Sequence, residues 1–443
     1  MTEIRHESVV CSGCSGLCDD IDVTVEAGRI TSVQNICNWG NPKFLGVKKF
    51  SESPRPRVLT PMVREAGRLR QADYGEALER AVSILKDSHH PWIYGLTAIG
   101  YQAQRLALGL AREVGGVFEP SESVHLSSFY EAIKVHGLYG ATLEEVKNEA
   151  DLILFWGCNP IHSCPRHLAR YSMFTRGRFT ERGFQDRRVV HVDIAKNEME
   201  EVTPDFLSVE PGSDDQIMLD LIRLVSEKGK PSLSTRSSFL EKLAEWIKAS
   251  RLGVIFAGMG VWASMNRTTH MNALFRLMET LNRTGSFVVF PYLDGFNSAG
   301  AIHLLLRETG APQAVDFQKK RRGKVRGTLL DRLEQVDAVL ALGADLAWSL
   351  PRENRGRLGE VPLIQIDPFE TYTTHLAEVV FPAAMAGVET EEIAYRMDGI
   401  PLKLSKLLDS PYPPDQEILR DMLVGLRNGT QGVERNPSRD SGS

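Results

Sequence analysis

Leu152-Ile-Leu-Phe-Trp-Gly-Cys-Asn-Pro160 is a run of five apolar residues stopped by glycine, with Asn-Pro positioned to start a helix. A continuous apolar run of this length suits a strand buried on both faces of a parallel sheet, whereas a half-exposed strand alternates. The pattern recurs along the chain at Trp92–Leu96, Val189–Val192, Val254–Ala257, Phe287–Phe290, Val339–Leu342, Leu363–Ile366 and Val379–Phe381. Each run is followed by a stretch of helical character. Strand–loop–helix alternation implies βαβ units and an α/β fold.

The runs also echo one another. Trp92-Ile-Tyr-Gly-Leu-Thr-Ala-Ile-Gly100 resembles Val254-Ile-Phe-Ala-Gly-Met-Gly260, and Leu152–Pro160 resembles Val339-Leu-Ala-Leu-Gly-Ala-Asp345. Val189-Val-His-Val-Asp193 resembles Leu363-Ile-Gln-Ile-Asp367, and the order is the same in both halves. Two related doubly wound α/β halves, about 88–215 and 250–400, are the economical reading; the plainer one is that any two α/β units look alike. The expected organisation is a Cys-rich segment 1–60, a first α/β domain 61–250, a second 251–408 and an extension 409–443. The tail from Asn428 lacks apolar periodicity and is expected to be disordered.

The first segment is of another kind. Asp20-Ile-Asp-Val-Thr-Val25, the turn Glu26-Ala-Gly-Arg29 and Ile30–Val33 predict two strands of a small β-layer; Tyr74–Lys86 predicts a helix. Four of the six cysteines lie here. Cys11, Cys14 and Cys18 are closely spaced, and eighteen residues intervene before Cys37. Three close thiolates and a distant fourth suit a 4Fe–4S cluster. Gly13 and Gly16 permit the tight loop that turns backbone N–H groups toward sulfur. Four cysteines also satisfy a tetrahedral zinc ion, although structural zinc sites usually pair their ligands as two C-x2-C knuckles. An empty, vestigial site is the third reading.

Composition narrows the class. The chain has 443 residues, 42% hydrophobic and 25% charged, with a net charge of −5. That length allows roughly two or three domains. The charge sum provides no general attraction to nucleic acid or anionic lipid. Six unevenly placed cysteines argue against a disulfide scaffold. No run reaches the length of a membrane span, and Met-Thr-Glu-Ile-Arg-His-Glu has no signal-like apolar core, so a cytoplasmic location is expected.

Ligands of open α/β sheets sit outside the carboxyl ends of strands. Gly157, Asn159 and Gly343 are therefore candidates for close approach to a ligand, and Asp193 and Asp367 for accepting from a ribose hydroxyl; strand-end aspartates are also common helix caps. Arg166, Arg170, Arg176 and Arg178 suit phosphate, or simply a solvated basic face. Cys158, Cys164, His162 and His167 follow no usual metal spacing, and a cysteine behind a buried strand is more often core. The basic run Gln318–Arg326 reads as a solvated loop.

Together these residues resemble a known family. Cys-x2-Cys-x3-Cys-Asp-Asp-Ile, Glu145-Val-Lys-Asn-x-Ala-Asp-x-Ile-Leu-Phe-Trp-Gly-Cys-Asn-Pro160 and Pro165-Arg-His-x-x-Arg-Tyr-Ser172 are similar to the B subunit of formylmethanofuran dehydrogenase. So are Glu308-Thr-Gly-x-Pro-x-Ala-Val-Asp-Phe317, Ile366-Asp-Pro368 and Glu392-x-Ala-Tyr-Arg-Met-Asp-Gly-Ile-Pro401, a match running to about residue 408. The resemblance implies a molybdopterin-oxidoreductase-like fold: a small N-terminal 4Fe–4S β domain and two related α/β domains clasping a tungsto- or molybdopterin guanine dinucleotide pair. In catalytic members this subunit reduces carbon dioxide to formate, which a partner amidohydrolase condenses onto methanofuran.

Two departures touch the chemistry. Family members hold the metal with a cysteine or selenocysteine followed by histidine, shortly before the Glu-Val-Lys-Asn segment. Here the stretch is Ser121-Glu-Ser-Val-His125, with Val124 in the thiolate position and His125 as the remnant. Valine has no lone pair to offer a metal. Catalytic members also carry Arg and His where this chain has Leu293-Asp-Gly295. That pattern resembles the bacterial formyltransferase/hydrolase complex of tetrahydromethanopterin-linked one-carbon metabolism, where the B subunit is structural and works beside hydrolase and formyltransferase subunits. It implies that the pterin dinucleotide is absent. An active formylmethanofuran dehydrogenase subunit is the alternative.

Overall fold

The computed structural model describes residues 3–46, 56–227, 237–262, 266–318, 323–324 and 329–431. Most of the basic run after Gln318 and the tail beyond Gln431 lie outside the described residues. Helix Asp415–Gln431 extends past Asn428, so the last described residues are helical where disorder was expected.

A three-stranded antiparallel sheet opens the chain: β1 (Glu3–Val9), β2 (Ile21–Glu26) and β3 (Arg29–Gln34). Ala27 and Gly28 link β2 to β3 at φ of 50° and 72°, the conformation of a two-residue hairpin turn. The strands that follow are β4 (Met62–Glu65), β5 (Arg68–Gln71), β6 (Pro91–Gly95), β7 (Val117–Pro120), β8 (Leu152–Trp156), β9 (Arg188–Asp193) and β10 (Asp205–Ser208). Then come β11 (Gly253–Ala257), β12 (Phe287–Pro291), β13 (Val315–Asp316), β14 (Gly323–Lys324), β15 (Ala338–Leu342), β16 (Leu363–Asp367) and β17 (Val379–Pro382). A closing hairpin is β18 (Glu392–Tyr395) with β19 (Pro401–Leu404).

Two large sheets carry the α/β body. One is five-stranded and parallel throughout, in the order β10-β9-β8-β11-β12. The other has nine strands, β14-β13-β7-β6-β15-β16-β17-β4-β5, with a parallel centre and antiparallel edges. The parallel centre, β7-β6-β15-β16-β17, corresponds strand for strand to β12-β11-β8-β9-β10. The three echoing segments fall on corresponding strands: β6 with β11, β15 with β8, β16 with β9. Neither sheet is one half of the chain. Each takes two central strands from one half and three from the other, so residue 250 divides the sequence but not the sheets.

Both faces of the central strands are covered, which is why their sequences are continuously apolar. In the nine-stranded sheet Ile93, Leu340, Ile364 and Phe381 face a core with Leu85, Leu108 and Met422. Trp92, Val339, Leu363 and Val380 face the opposite core with Leu333, Leu346 and Leu358. Helix Tyr74–Asp87, whose N-cap Asp73 accepts from the Glu76 amide at 2.8 Å, closes the first of these faces.

The winding direction reverses between β8 and β11 in one sheet and between β6 and β15 in the other. At both switch points a glycine at positive φ ends the strand. Gly157 (φ 62°) follows β8, and a Cβ there would lie 2.9 Å from the Gly260 Cα. Gly343 (φ 56°) follows β15, and its Cβ would come within 3.0 Å of Ile99. The loops meet too closely for a side chain. Gly157→Ala is therefore expected to cost about 2–4 kcal/mol, from backbone strain and the clash together. Gly28→Ala, with positive φ but nothing within 4 Å of its Cβ, should lose only about 1 kcal/mol. Urea denaturation of the two variants measures the difference; equal losses would remove the close-approach argument.

Candidate functional site

The N-terminal loop turns tightly because Cys11 N–H donates to Cys18 O at 2.7 Å and Leu17 N–H to Cys14 O at 3.2 Å. This brings Cys11, Cys14 and Cys18 to one cavity, and the return of the chain adds Cys37. Gly40, three residues beyond Cys37, lies against the loop so closely that a Cβ would stand 2.7 Å from Cys11 Sγ. The Gly13 and Gly16 amides donate to the Cys11 and Cys14 sulfurs. Burial, with neighbouring thiols, pushes Cys11 up to about 12 and raises Cys18 well above the usual thiol range. Thiols so placed remain protonated until a cation takes the proton's place. Lys43, half-buried and pushed down to about 8 by desolvation, and Arg166 supply positive charge beside Cys11 and Cys18. All six cysteines are free thiols. Among the described residues no group of three or more Cys, His, Asp or Glu is arranged to hold a single metal ion.

The cysteine lobe is fastened to the five-stranded sheet by charge. Arg166 forms a two-point pair with Asp20 at 2.6 and 2.7 Å, and Arg170 reaches Asp19 at 2.8 Å. These two arginines, candidates for phosphate, are thus engaged with carboxylates, while Arg176 and Arg178 stay exposed. Trp39 Nε1 donates to the His162 carbonyl. Ser12 Oγ donates to Ala386 O at 3.0 Å, and Ser15 Oγ to Leu293 O at 2.5 Å.

Leu293 belongs to the loop after β12, and that loop meets the nine-stranded sheet. Asn297 N–H donates to Thr97 O at 2.9 Å and Asn297 Nδ2 to Ile99 O at 2.9 Å. Glu122, half-buried at the start of helix Ser123–His136, accepts from the Gly295 amide at 2.8 Å and from Ser298 Oγ at 2.6 Å. Thr97 Oγ1 lies 3.1 Å from Ser121 Oγ. The loops after β6, β7 and β12 therefore seal a seam where the carboxyl ends of both sheets face each other. Val124 and His125 sit in the first helical turn beside it; their side chains lie outside the described residues.

The strand-end candidates occupy two places. Gly157, Asn159 and Asp193 end strands of the five-stranded sheet, and Gly343 and Asp367 end strands of the nine-stranded one. Asn159 caps helix Pro160–Ser163 through the Ile161 amide at 3.1 Å, and its Nδ2 donates to Glu198 at 3.0 Å. Asp345 has the same station behind Gly343, accepting from the Thr373 amide at 3.1 Å. Asp193 accepts from the Ile194 amide at 2.7 Å, and Asp367 from the Phe369 amide at 2.9 Å. Cys158 Sγ donates to Phe256 O at 3.3 Å. Sequence reasoning gave no role to Glu122, Asn297 or Lys43; Cys164, read as core, is buried in the core and also lines the cysteine cavity.

The family model for molybdopterin oxidoreductase matches residues 57–422. Over 434 residues the chain is 33% identical to the B subunit of the tungsten-containing formylmethanofuran dehydrogenase 2 of Methanocaldococcus jannaschii, spanning 95% of this chain and 98% of that one. In fold it is similar to a chain of the formyltransferase/hydrolase complex of Methylorubrum extorquens, solved with methylofuran, with TM-score 0.67 and 21% identity over 85% of this chain and 100% of that chain. Acetylene hydratase of Pelobacter acetylenicus shares the fold at TM-score 0.69 and 13% identity, over 97% of this chain and 70% of the hydratase.

Three carboxyls at or near these sites titrate high. Burial pushes Glu122 up to about 7, and Glu119 and Asp415 up to about 8. The folded protein therefore holds protons that the unfolded chain releases, and each group makes stability fall as pH rises from its ordinary value toward its folded one. Glu122→Gln is expected to flatten the decline between pH 4.5 and about 7, leaving the shares of Glu119 and Asp415. Denaturant midpoints across that range test it, and an unchanged slope would contradict the burial of the Glu122 carboxyl.

Proposed function

The chain belongs to the molybdopterin oxidoreductase family, as a homologue of the B subunit of formylmethanofuran dehydrogenase, and from that premise we propose that it is a scaffold subunit of a formyltransferase/hydrolase complex that has lost carbon dioxide–formate redox chemistry. One observation carries the reading: no cysteine occurs between Cys37 and Cys158, and Val124 stands in the position of the family's metal ligand. A hydrophobic side chain cannot anchor tungsten or molybdenum. Glu122, two residues before Val124, is engaged with Gly295 and Ser298. The residues at the seam do not fit a thiolate-anchored metal.

The cysteine cavity is different. Its four thiols, two backbone donors to sulfur and nearby cations fit a 4Fe–4S cluster at Cys11, Cys14, Cys18 and Cys37. A bound cluster supplies a one-electron relay and cross-links four points of the lobe. A cubane spreads its ligands over four corners, so a shared cavity is the relevant arrangement and a single point of convergence is not required. Without a metal at the seam the relay has no neighbour, and the cross-link remains as the cluster's use. Gly157, Asn159, Asp193, Gly343 and Asp367 mark the cleft that a pterin dinucleotide occupies in catalytic relatives, a vestige in this chain. A large α/β body without chemistry of its own serves as a contact surface, and hydrolase and formyltransferase subunits in tetrahydromethanopterin-linked one-carbon metabolism are the partners this reading assigns. Among the described residues no helix is long and apolar enough to cross a membrane.

The 33% identity to a tungsten-containing relative favours a second reading, an active dehydrogenase subunit whose metal is held without a protein thiolate. Metal analysis of the anaerobically purified native complex separates the two. The scaffold reading expects about four irons per chain, tungsten and molybdenum at trace level, and no dye reduction by formate. Stoichiometric tungsten or molybdenum with formate-dependent reduction would overturn it.

A further inference from the structure

The cavity that gathers Cys11, Cys14, Cys18 and Cys37 has a fifth thiol on its wall, Cys164. It comes from the other side of the interface. Cys164 stands between the short helices Pro160–Ser163 and Pro165–Arg170, on the segment that follows β8, whereas the other four belong to the N-terminal lobe. It is 1% exposed. The Cys14 thiol lines the same cavity. Ser15 Oγ, next in sequence to Cys14, is 3.7 Å from Cys164 Sγ. His167, also on the cavity wall and 1% exposed, has no hydrogen-bond partner for Nε2. Cys158, the remaining cysteine, donates to Phe256 O and is not on that wall.

We infer that Cys164 is a reserve ligand of the cysteine site, placed to hold the iron corner of Cys14 when Cys14 lets go. The inference rests on the 4Fe–4S reading given above. A thiol on the wall of the cavity that Cys14 lines, and beside Ser15, is near the atom Cys14 binds, and cluster irons are held by cysteine thiolates. The exchange balances: Cys164 gives up a proton as its thiolate binds iron, and Cys14 takes up one as its thiolate leaves. No electron moves. Ligation by Cys164 ties the lobe to the five-stranded sheet through the cluster, in addition to the Arg166–Asp20 pair.

The test is anaerobic reconstitution of the full chain with ferrous iron and sulfide, read as iron per chain and absorbance near 400 nm. Cys14→Ala is expected to keep more than half of the wild-type iron. Cys18→Ala, whose thiol has no such understudy, and the double variant Cys14→Ala/Cys164→Ala are expected to keep less than a fifth. Cys158→Ala should match the wild type. The inference is overturned if Cys14→Ala is as depleted as Cys18→Ala, or if the double variant holds as much iron as Cys14→Ala. Wild-type protein that takes up no iron would bring down the cluster reading itself, and this inference with it. Should the depleted variants fail to fold by far-ultraviolet circular dichroism, Cys164→Ala alone decides. Its iron should pass to a chelator several-fold faster than that of the wild type, and an unchanged rate overturns the inference.

Discussion

Asn297 has every polar group engaged across the junction of the two sheets. Its amide donates to Thr97, its side-chain nitrogen to Ile99, its carbonyl accepts from Gln104 at 3.0 Å, and its side-chain oxygen accepts from the Tyr395 amide at 2.8 Å. The residue is fully buried, and a buried polar group left unpaired is costly. This one side chain therefore fixes the loop after β12 against the loop after β6 and the closing hairpin. The interleaved topology makes the constraint necessary. Each sheet is built from two separated stretches of chain, so the sheets must be held in register where their carboxyl ends meet.

From that junction the structure continues in both directions. Two residues before Asn297, Gly295 is held by Glu122; two residues before that, Leu293 receives Ser15 of the cysteine loop. One short loop thus connects the seam to the thiol cavity. Beside the hydrogen bonds of Ser12, Ser15 and Trp39, the lobe is attached by partly buried ion pairs, Asp19 with Arg170 and Asp20 with Arg166. Such pairs set orientation more than they add stability. A scaffold needs this geometry whether or not electrons pass. Under the proposed reading, in which Val124 takes the place of the metal ligand, this geometry is what a subunit kept for shape requires.

The strands were largely legible in sequence. Leu152–Trp156 is predicted and observed with the same ends, because a strand buried on both faces leaves a continuous apolar run. The strand Val117–Pro120 was not legible: it is short, ends in proline, and contains Glu119, whose burial is made tolerable by Trp92 Nε1 at 2.7 Å and the Leu329 amide at 2.9 Å. The echo between Trp92 and Val254, and between Leu152 and Val339, was legible as similarity; its meaning was not. Similar segments are corresponding strands of different sheets, an exchange that only long-range pairing reveals. The four-cysteine set could be read from spacing alone. Cys164 could not, because 127 positions separate it from Cys37 and only the docking of lobe on sheet brings it to the cavity.

The central claim is that the fold retains a cluster site and has given up its catalytic metal. Anomalous diffraction from crystals of the anaerobically prepared protein, recorded at the iron and tungsten edges, addresses both halves at once. The account predicts an iron peak enclosed by Cys11, Cys14, Cys18 and Cys37 and no tungsten peak at the seam between Thr97, Glu122 and Gly295. A tungsten peak at that seam, or no iron among the four cysteines, would contradict it.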